Sequence, residues 1–265
     1  MLKRAYDYLA TYGLLVILAA LLLVWTVLAL LLLSPLPRNW RRAGARYTMM
    51  RSLRFFSWTL TLSGAYQLDL SALDPLRSGP PLILAPNHPT SIDALFLLAR
   101  HPDLACILKP ELMSSASLGV AARLASFMHS DPPRRMIRSA VAELRRGGSV
   151  LLFPEGTRTT RVPLNPLTGS AAVIARHARA PIQIAIIETD SPYLGKGWSI
   201  FKVPPHLPIR FRVRLGRRLE PSEDVAGCTA TLGRELAREL ASAPQNGWLA
   251  AREGGSGGKA LLDGP

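Results

Sequence analysis

A chain of 265 residues is long enough for one globular domain with a sizeable core plus an accessory segment. A hydrophobic share of 48% and a mean hydropathy of +0.17 are high for a soluble enzyme and point to a membrane segment. The net charge of +14 calls for an anionic partner, whether nucleic acid, lipid headgroups or phosphorylated small molecules. Nucleic acid is the weakest of the three, because no zinc-finger spacing and no basic run interleaved with stacking aromatics is present. Two cysteines, Cys106 and Cys228, supply neither a disulfide framework nor a metal pattern.

Leu14 to Leu33 is apolar apart from Thr26. About twenty such residues cross the hydrocarbon core as a helix. The run is too long for a cleaved signal and ends in Ser34-Pro35-Leu36-Pro37 rather than a small-x-small site. Apolarity on every face argues for lipid rather than a protein core. Lys3 and Arg4 precede the run, whereas Arg38, Arg41, Arg42, Arg46, Arg51 and Arg54 follow it. That excess puts the remainder of the chain on the cytoplasmic side, at the inner membrane in a bacterium. With Trp40, Tyr47 and Trp58 interspersed, 38–63 reads as a basic interfacial helix, although its arginines do not gather on one face. Residues 1–63 thus form a membrane-anchoring helical segment.

Asp74-Pro75 and Ser78-Gly79-Pro80-Pro81 make 64–81 a polar, turn-rich boundary. Beyond it the pattern alternates. Strand-like runs at 82–85, 104–108, 150–153 and 181–187 are separated by helical stretches at 92–100, 117–127, 134–146 and 170–179. Ile209 to Leu215 alternates apolar with basic residues, as a half-exposed strand does, and 228–241 closes with a helix. The alternation predicts an α/β fold, a mainly parallel sheet flanked by helices, over a catalytic domain of 64–245. The glycine-rich 246–265 reads as a flexible tail.

The first strand-like run ends in Pro86-Asn87-His88, with Asp93 five positions beyond the histidine. Pro89 disfavours helical geometry at His88, so the natural reading is strand, tight loop and helix start. Such a loop folds the Asp93 carboxylate onto one imidazole nitrogen and leaves the other free to accept a proton, as a general base requires. Ser91 suits the helix N-cap. A second motif, Phe153-Pro154-Glu155-Gly156-Thr157-Arg158, again follows an apolar strand. Sites in parallel α/β folds collect beyond the C-terminal ends of strands, and His88, Lys109 and 155–158 all do so.

Asn87-His88, Ser91 and Asp93 followed by Phe-Pro-Glu-Gly-Thr-Arg resemble the glycerolipid acyltransferases, the lysophosphatidate (1-acylglycerol-3-phosphate) acyltransferases and their relatives, over residues 80–215. The resemblance implies a fold with a mainly parallel sheet and transfer of a fatty acyl chain to a lysophospholipid. Acyl-CoA or acyl-carrier protein would be the donor, with no cofactor and no metal. Histidine and aspartate serve as base and partner in this reading, so His88 and Asp93 would be catalytic. Glu155, Gly156, Thr157 and Arg158 would hold the acceptor's phosphate and glycerol, Arg158 through paired donors. Glu155 would orient Arg158, receive the glycerol hydroxyl, or simply pair with the arginine. Lys109 stands in a Lys-x-Glu-Leu-like segment with Gly119 beyond it, and would help bind an anionic group. Two departures, Thr168-Gly169 for a basic residue and glycine, and Ile184 for the second proline of Pro-x-x-Pro, fall where the acceptor should sit. They keep open a different acceptor, such as an amino-acid lipid or a specialised lipid anchor. A thioester or lipid hydrolase and a non-catalytic lipid-binding protein are the readings from other classes.

Overall fold

A computed structural model describes residues 2–115 and 118–242; the tail expected to be flexible, 246–265, lies outside the described residues. Seven strands form one sheet in the order β1-β7-β6-β2-β5-β3-β4. They span Tyr66–Asp69 (β1), Ile83–Pro86 (β2), Leu104–Leu108 (β3), Met128–His129 (β4), Ser149–Leu151 (β5), Ile182–Thr189 (β6) and Ile209–Leu219 (β7). β2 to β6 are mutually parallel. β7 runs antiparallel to β6, and β1 lies parallel to β7 at the edge. Ile83, Leu84, Ala85, Val150, Leu151 and Ile182 are buried completely or nearly so, which is why the central strands are continuous apolar runs. β7 alternates instead, burying Ile209, Phe211 and Val213. Of its arginines, Arg212 forms an ion pair with Asp69, and Arg214 with Glu188 and Glu239.

Among the described residues the α-helices are Leu2–Leu33 (α1), Arg38–Leu62 (α2), Asp93–Leu98 (α3), Pro110–Ser114 (α4), Leu118–Leu124 (α5), Pro133–Arg145 (α6), Ser170–Ala178 (α7) and Val225–Ala241 (α8). The connection from β2 through α3 moves toward β3 in the sheet, while that from β5 through α7 moves back past β2 to β6. Right-handed crossovers in opposite directions put their helices on opposite faces. Accordingly α2 packs on α3, α5 and β1, whereas α6 packs on α7, β4 and β5, and α8 on α7, β6 and β7. Between the adjacent strands β2 and β5 the winding reverses, which opens a crevice beyond their C-terminal ends.

α2 belongs to the same core as the sheet: Met50, Leu53, Phe56 and Leu60 are nearly inaccessible. One face of α2 is thus core, while its other face leaves Trp40, Tyr47, Arg51 and Trp58 exposed. Arg46 is buried and its Nη1 donates to Glu143 of α6 at 2.6 Å, its Nε to the Ala125 carbonyl at 2.8 Å. Arg42 reaches the other Glu143 oxygen at 3.1 Å. Burial raises the Glu143 pKa, but Arg46, Arg42 and Arg146 outweigh it and hold the carboxyl below its ordinary value.

α1 lies antiparallel along α2 and does not project away from the fold. Thr11, Leu14, Trp25, Thr26 and Ala29 are its buried residues, a stripe at helical spacing. Three hydrogen bonds tie it down: Tyr6 Oη to the Ser63 carbonyl, Tyr12 Oη to the Phe201 carbonyl (2.7 Å) and Trp25 Nε1 to Thr48 Oγ1 (3.1 Å). Its opposite side leaves Leu9, Val16, Leu23, Val24, Leu31 and Leu32 exposed. α1 is the helix among the described residues long and apolar enough to cross a membrane.

Candidate active site

β2 delivers His88 to the crevice, and Asn87 fixes the exit. The Asn87 side chain is fully buried; its Nδ2 donates to the Ile187 carbonyl (3.0 Å) and its Oδ1 accepts from the Ile187 amide (2.7 Å), which ties the end of β2 to β6. His88 then leaves the sheet, and Asp93 opens α3. The Asp93 carboxylate is wholly buried. One oxygen, Oδ2, lies 2.9 Å from His88 Nδ1 and accepts the Thr90 amide at 2.9 Å; the other accepts the Thr90 hydroxyl. A carboxylate beside Nδ1 selects the Nδ1–H tautomer and leaves a lone pair on Nε2, for which no protein partner occurs among the described residues. The imidazole is partly exposed and stacks on Phe153, with centroids 3.8 Å apart and planes inclined by 20°. Phe153 thereby sets the ring plane, a contribution that motif spacing alone did not reveal.

Ser91 does not cap α3. The N-cap is Ile92, without a side-chain bond, and Thr90 and Asp93 satisfy each other in its place; Ser91 Oγ points to the Leu194 carbonyl at 3.4 Å.

β5 leads into the second motif. Gly156 turns the chain at φ +66°, a conformation glycine adopts without steric cost. The turn swings Glu155 inward, away from Arg158. Glu155 Oε1 accepts the His88 amide (3.1 Å) and the Thr159 hydroxyl (2.6 Å), and Oε2 accepts the Asn165 amide (3.0 Å). Burial pushes its pKa up, and those three hydrogen bonds offset the rise only in part. The expected pairing with Arg158 is therefore corrected. Both oxygens are occupied within the protein, and Glu155 braces the His88 loop. Thr159 adds to the brace, its amide donating to the His88 carbonyl at 2.7 Å. Neither Thr159 nor Asn165 stood out in the sequence, because each lies outside the six-residue motif.

Arg158 reaches across the crevice. Its Nη1 donates to the Leu194 and Gly195 carbonyls at 3.0 and 2.9 Å, and its Nε and Nη2 have no protein partner among the described residues. Gly156 is exposed and Thr157 half-buried. Lys109 is exposed at the end of β3, one strand beyond β5. Gly119 packs so tightly that a Cβ would collide with the Met113 carbonyl. Thr168 lies against the motif, donating to the Pro154 carbonyl (3.0 Å) with its methyl beside Gly156. Ile184, by contrast, is fully buried in β6 opposite Ala85 and takes no part in the crevice.

An apolar cavity of about 140 Å³ abuts this loop. Its walls include Leu14 and Leu18 of α1, Leu60 of α2, Ile92 and Leu95 of the α3 segment, and Leu194. No group of His, Cys, Asp or Glu side chains suited to a metal ion occurs among the described residues.

A histidine–carboxylate pair set beside an arginine and an apolar cavity is suited to moving a proton to or from a hydroxyl or water next to an anionic, partly apolar ligand. An acyltransferase family model matches residues 67–188, which hold both motifs. The chain is 25% identical over 190 residues to 1-acyl-sn-glycerol-3-phosphate acyltransferase of Pseudomonas aeruginosa, covering 69% of this chain and 72% of that one. It is 29% identical over 137 residues to mouse 1-acyl-sn-glycerol-3-phosphate acyltransferase alpha, about half of each chain. The fold is shared with 1-acyl-sn-glycerophosphate (LPA) acyltransferase PlsC of Thermotoga maritima, at a TM-score of 0.68 and 16% identity over 90% of this chain and 96% of that one. Residues 67–188 thus resemble the acyltransferases in sequence, and the chain as a whole shares its fold with a member of that group.

Proposed function

We propose that the enzyme moves a fatty acyl chain from acyl-CoA or acyl-carrier protein onto a lysophospholipid. The simplest acceptor is 1-acylglycerol-3-phosphate, and the product phosphatidic acid. The 2.9 Å contact between His88 Nδ1 and a fully buried Asp93 carboxylate carries this reading. The acceptor named in the two curated relatives supports the choice of substrate.

In the proposed reaction Nε2 of His88 takes the acceptor hydroxyl's proton as that oxygen attacks the thioester carbonyl. The tetrahedral intermediate collapses, the C–S bond breaks, and the departing thiolate recovers the proton from the imidazolium. Asp93 holds the tautomer and stabilises the transient cation. No acyl-enzyme is needed: the Thr90 hydroxyl is spent on Asp93, and Ser91 points to the Leu194 carbonyl. Arg158 presents Nε and Nη2 to the phosphate, with Gly156 and Thr157 beside it and Lys109 farther along the sheet edge. The apolar cavity receives an acyl chain, and the outer side of α1 rests in lipid, placing the crevice at the membrane surface.

Purified protein assayed against a panel of lysolipids, with labelled acyl-CoA and acyl-carrier protein as donors, tests the proposal. Lysophosphatidate-dependent transfer that disappears in His88→Ala, with the melting temperature retained, is the expected result. Turnover of His88→Ala near the wild-type level would overturn the base assignment. Release of free fatty acid without any acceptor would assign the site to hydrolysis.

A further inference from the structure

The segment 191–202, which follows β6, carries a surface that the proposed reaction leaves unused. β6 runs parallel to β2, so the segment rises from the same end of the sheet as His88. Its own contacts pin it. The Gly195 carbonyl accepts the Trp198 amide at 3.0 Å, and the Trp198 indole N–H donates to the Lys202 carbonyl at 2.9 Å. The Lys202 ammonium lies over the indole ring, 4.5 Å from its centroid, as a cation–π contact. Beside this staple Phe201 is 73% exposed, with Ile200 half-exposed next to it.

Continuity, charge and composition together identify what covers Phe201. Tyr12 of α1 donates to the Phe201 carbonyl at 2.7 Å. Around the helix Tyr12 lies about 40° from Val16 and about 60° from Leu9, both exposed, so Phe201 extends the apolar side of α1. Residues 191–208 contain no Asp or Glu, and Lys196 and Lys202 are exposed. Lys3 and Arg4 add charge at the start of α1, a complement to anionic headgroups. Tyr8 stacks on Tyr12 at 6.1 Å, and with Trp198 these rings supply the amphipathic aromatics of a membrane–water boundary. A protein bound to Phe201 alone would leave the adjoining apolar side of α1 bare.

The same segment is fastened to the crevice. Arg158 Nη1 donates to the Leu194 and Gly195 carbonyls, and the Ser91 amide donates to Leu194 at 3.0 Å. Gly195 stands six positions before Phe201. The headgroup layer is only about 5–7 Å thick on each side of the hydrocarbon core. A lipid contact at Phe201 therefore sets the depth at which Arg158 meets phosphate.

We propose that Phe201, with Lys196 and Lys202, forms a second bilayer contact that registers Arg158 with the phosphate layer; the inference rests on the placement of α1 in lipid proposed above. Full-length Phe201→Cys/Cys228→Ser tests the contact, labelled at position 201 with an environment-sensitive fluorophore and added to phosphatidylcholine–phosphatidylglycerol vesicles. Cys106 is fully buried and escapes the reagent. Lipid-borne bromine near the headgroups should quench the label. Phe201→Glu tests the consequence. Its apparent KM for long-chain lysophosphatidate embedded in the vesicles should rise about tenfold or more, the scale of withdrawing one aromatic side chain from an apolar layer. Phe201→Trp should restore it, whereas kinetics with a short-chain lysophosphatidate dissolved as monomers should be unchanged in all three proteins. An unaltered KM in vesicles, or an equal rise with the dissolved acceptor, would overturn the proposal. Wild-type protein that fails to bind vesicles refutes the placement of α1; bound protein with an unquenched label refutes the second contact alone. Quenching needs no turnover, so a lack of transfer would strike the reaction and leave the contact to be decided by the label.

Discussion

Asp93→Asn probes the dyad at its least accessible atoms. The carboxylate is completely buried and receives the Thr90 amide and hydroxyl besides facing His88 Nδ1. Asparagine has the same shape. Its carboxamide oxygen retains the Nδ1–H and amide bonds, and its NH2 meets a threonine hydroxyl that accepts after rotation. The fold should therefore survive, with the melting temperature shifted by only a few degrees. What disappears is the charge opposite the imidazolium. At about 4 Å between charge centres and an effective dielectric of about 20, that attraction is about 4 kcal/mol. At about 1.4 kcal/mol per decade, kcat should fall roughly 10³-fold. Should the carboxamide turn its NH2 to Nδ1, the tautomer inverts and the loss approaches about 10⁴-fold. Steady-state assays with both substrates varied should place the effect on kcat, with either KM little changed. A variant that keeps a tenth or more of wild-type kcat while melting normally would refute the proposed part of Asp93.

Arg158→Ala should raise the acceptor's KM about ten- to a hundredfold, the scale of one or two charge-assisted hydrogen bonds, while sparing the donor's. A rise confined to the donor's KM would remove Arg158 from the phosphate site. Arg46→Ala should cost about 3 kcal/mol in urea unfolding, because it strips a buried carboxylate of its closest cation. The Glu143 pKa is depressed in the folded state, so the pair's contribution exists above the ordinary carboxylate pKa and fades as pH falls through the lower, folded value. Wild type and Arg46→Ala should thus converge in stability on acidification; a gap that stays constant would contradict the assignment. Leu60→Trp narrows the 140 Å³ cavity and should shift acyl preference toward shorter chains in a competition assay. An unaltered chain-length profile in a folded variant would separate the cavity from substrate binding.

Much of this architecture is written locally. Leu104–Leu108 emerges residue for residue as β3, and the other central strands fall within one or two positions, because a strand covered on both faces must be apolar throughout. β1 and β4 were not legible. Tyr66–Asp69 sits in a segment dominated by proline and glycine punctuation, and becomes a strand only by pairing with β7 far along the chain. Met128–His129 is too short to show periodicity. The proximity of His88 and Asp93 was readable from one loop, whereas the role of Glu155 was not. Sequence spacing sets it beside Arg158, and the left-handed turn at Gly156 sends the two side chains apart. The pairing of Arg46 was unreadable for a related reason: composition registers charge, while the buried acid that neutralises it lies on a different helix, 97 residues away.

Apart from Asp93, the supports of His88 come late in the chain. Its amide meets Glu155 and Thr159, 67 and 71 residues downstream, and the preceding Asn87 is fastened to Ile187 at a separation of 100. During synthesis, then, the imidazole emerges with Asp93 but long before the segments that fix its loop. A polypeptide ending short of β6 carries His88 and Asp93 but lacks the Ile187 anchor of Asn87. The geometry around His88 is complete only once the sheet has closed around β2, so site and fold are finished together.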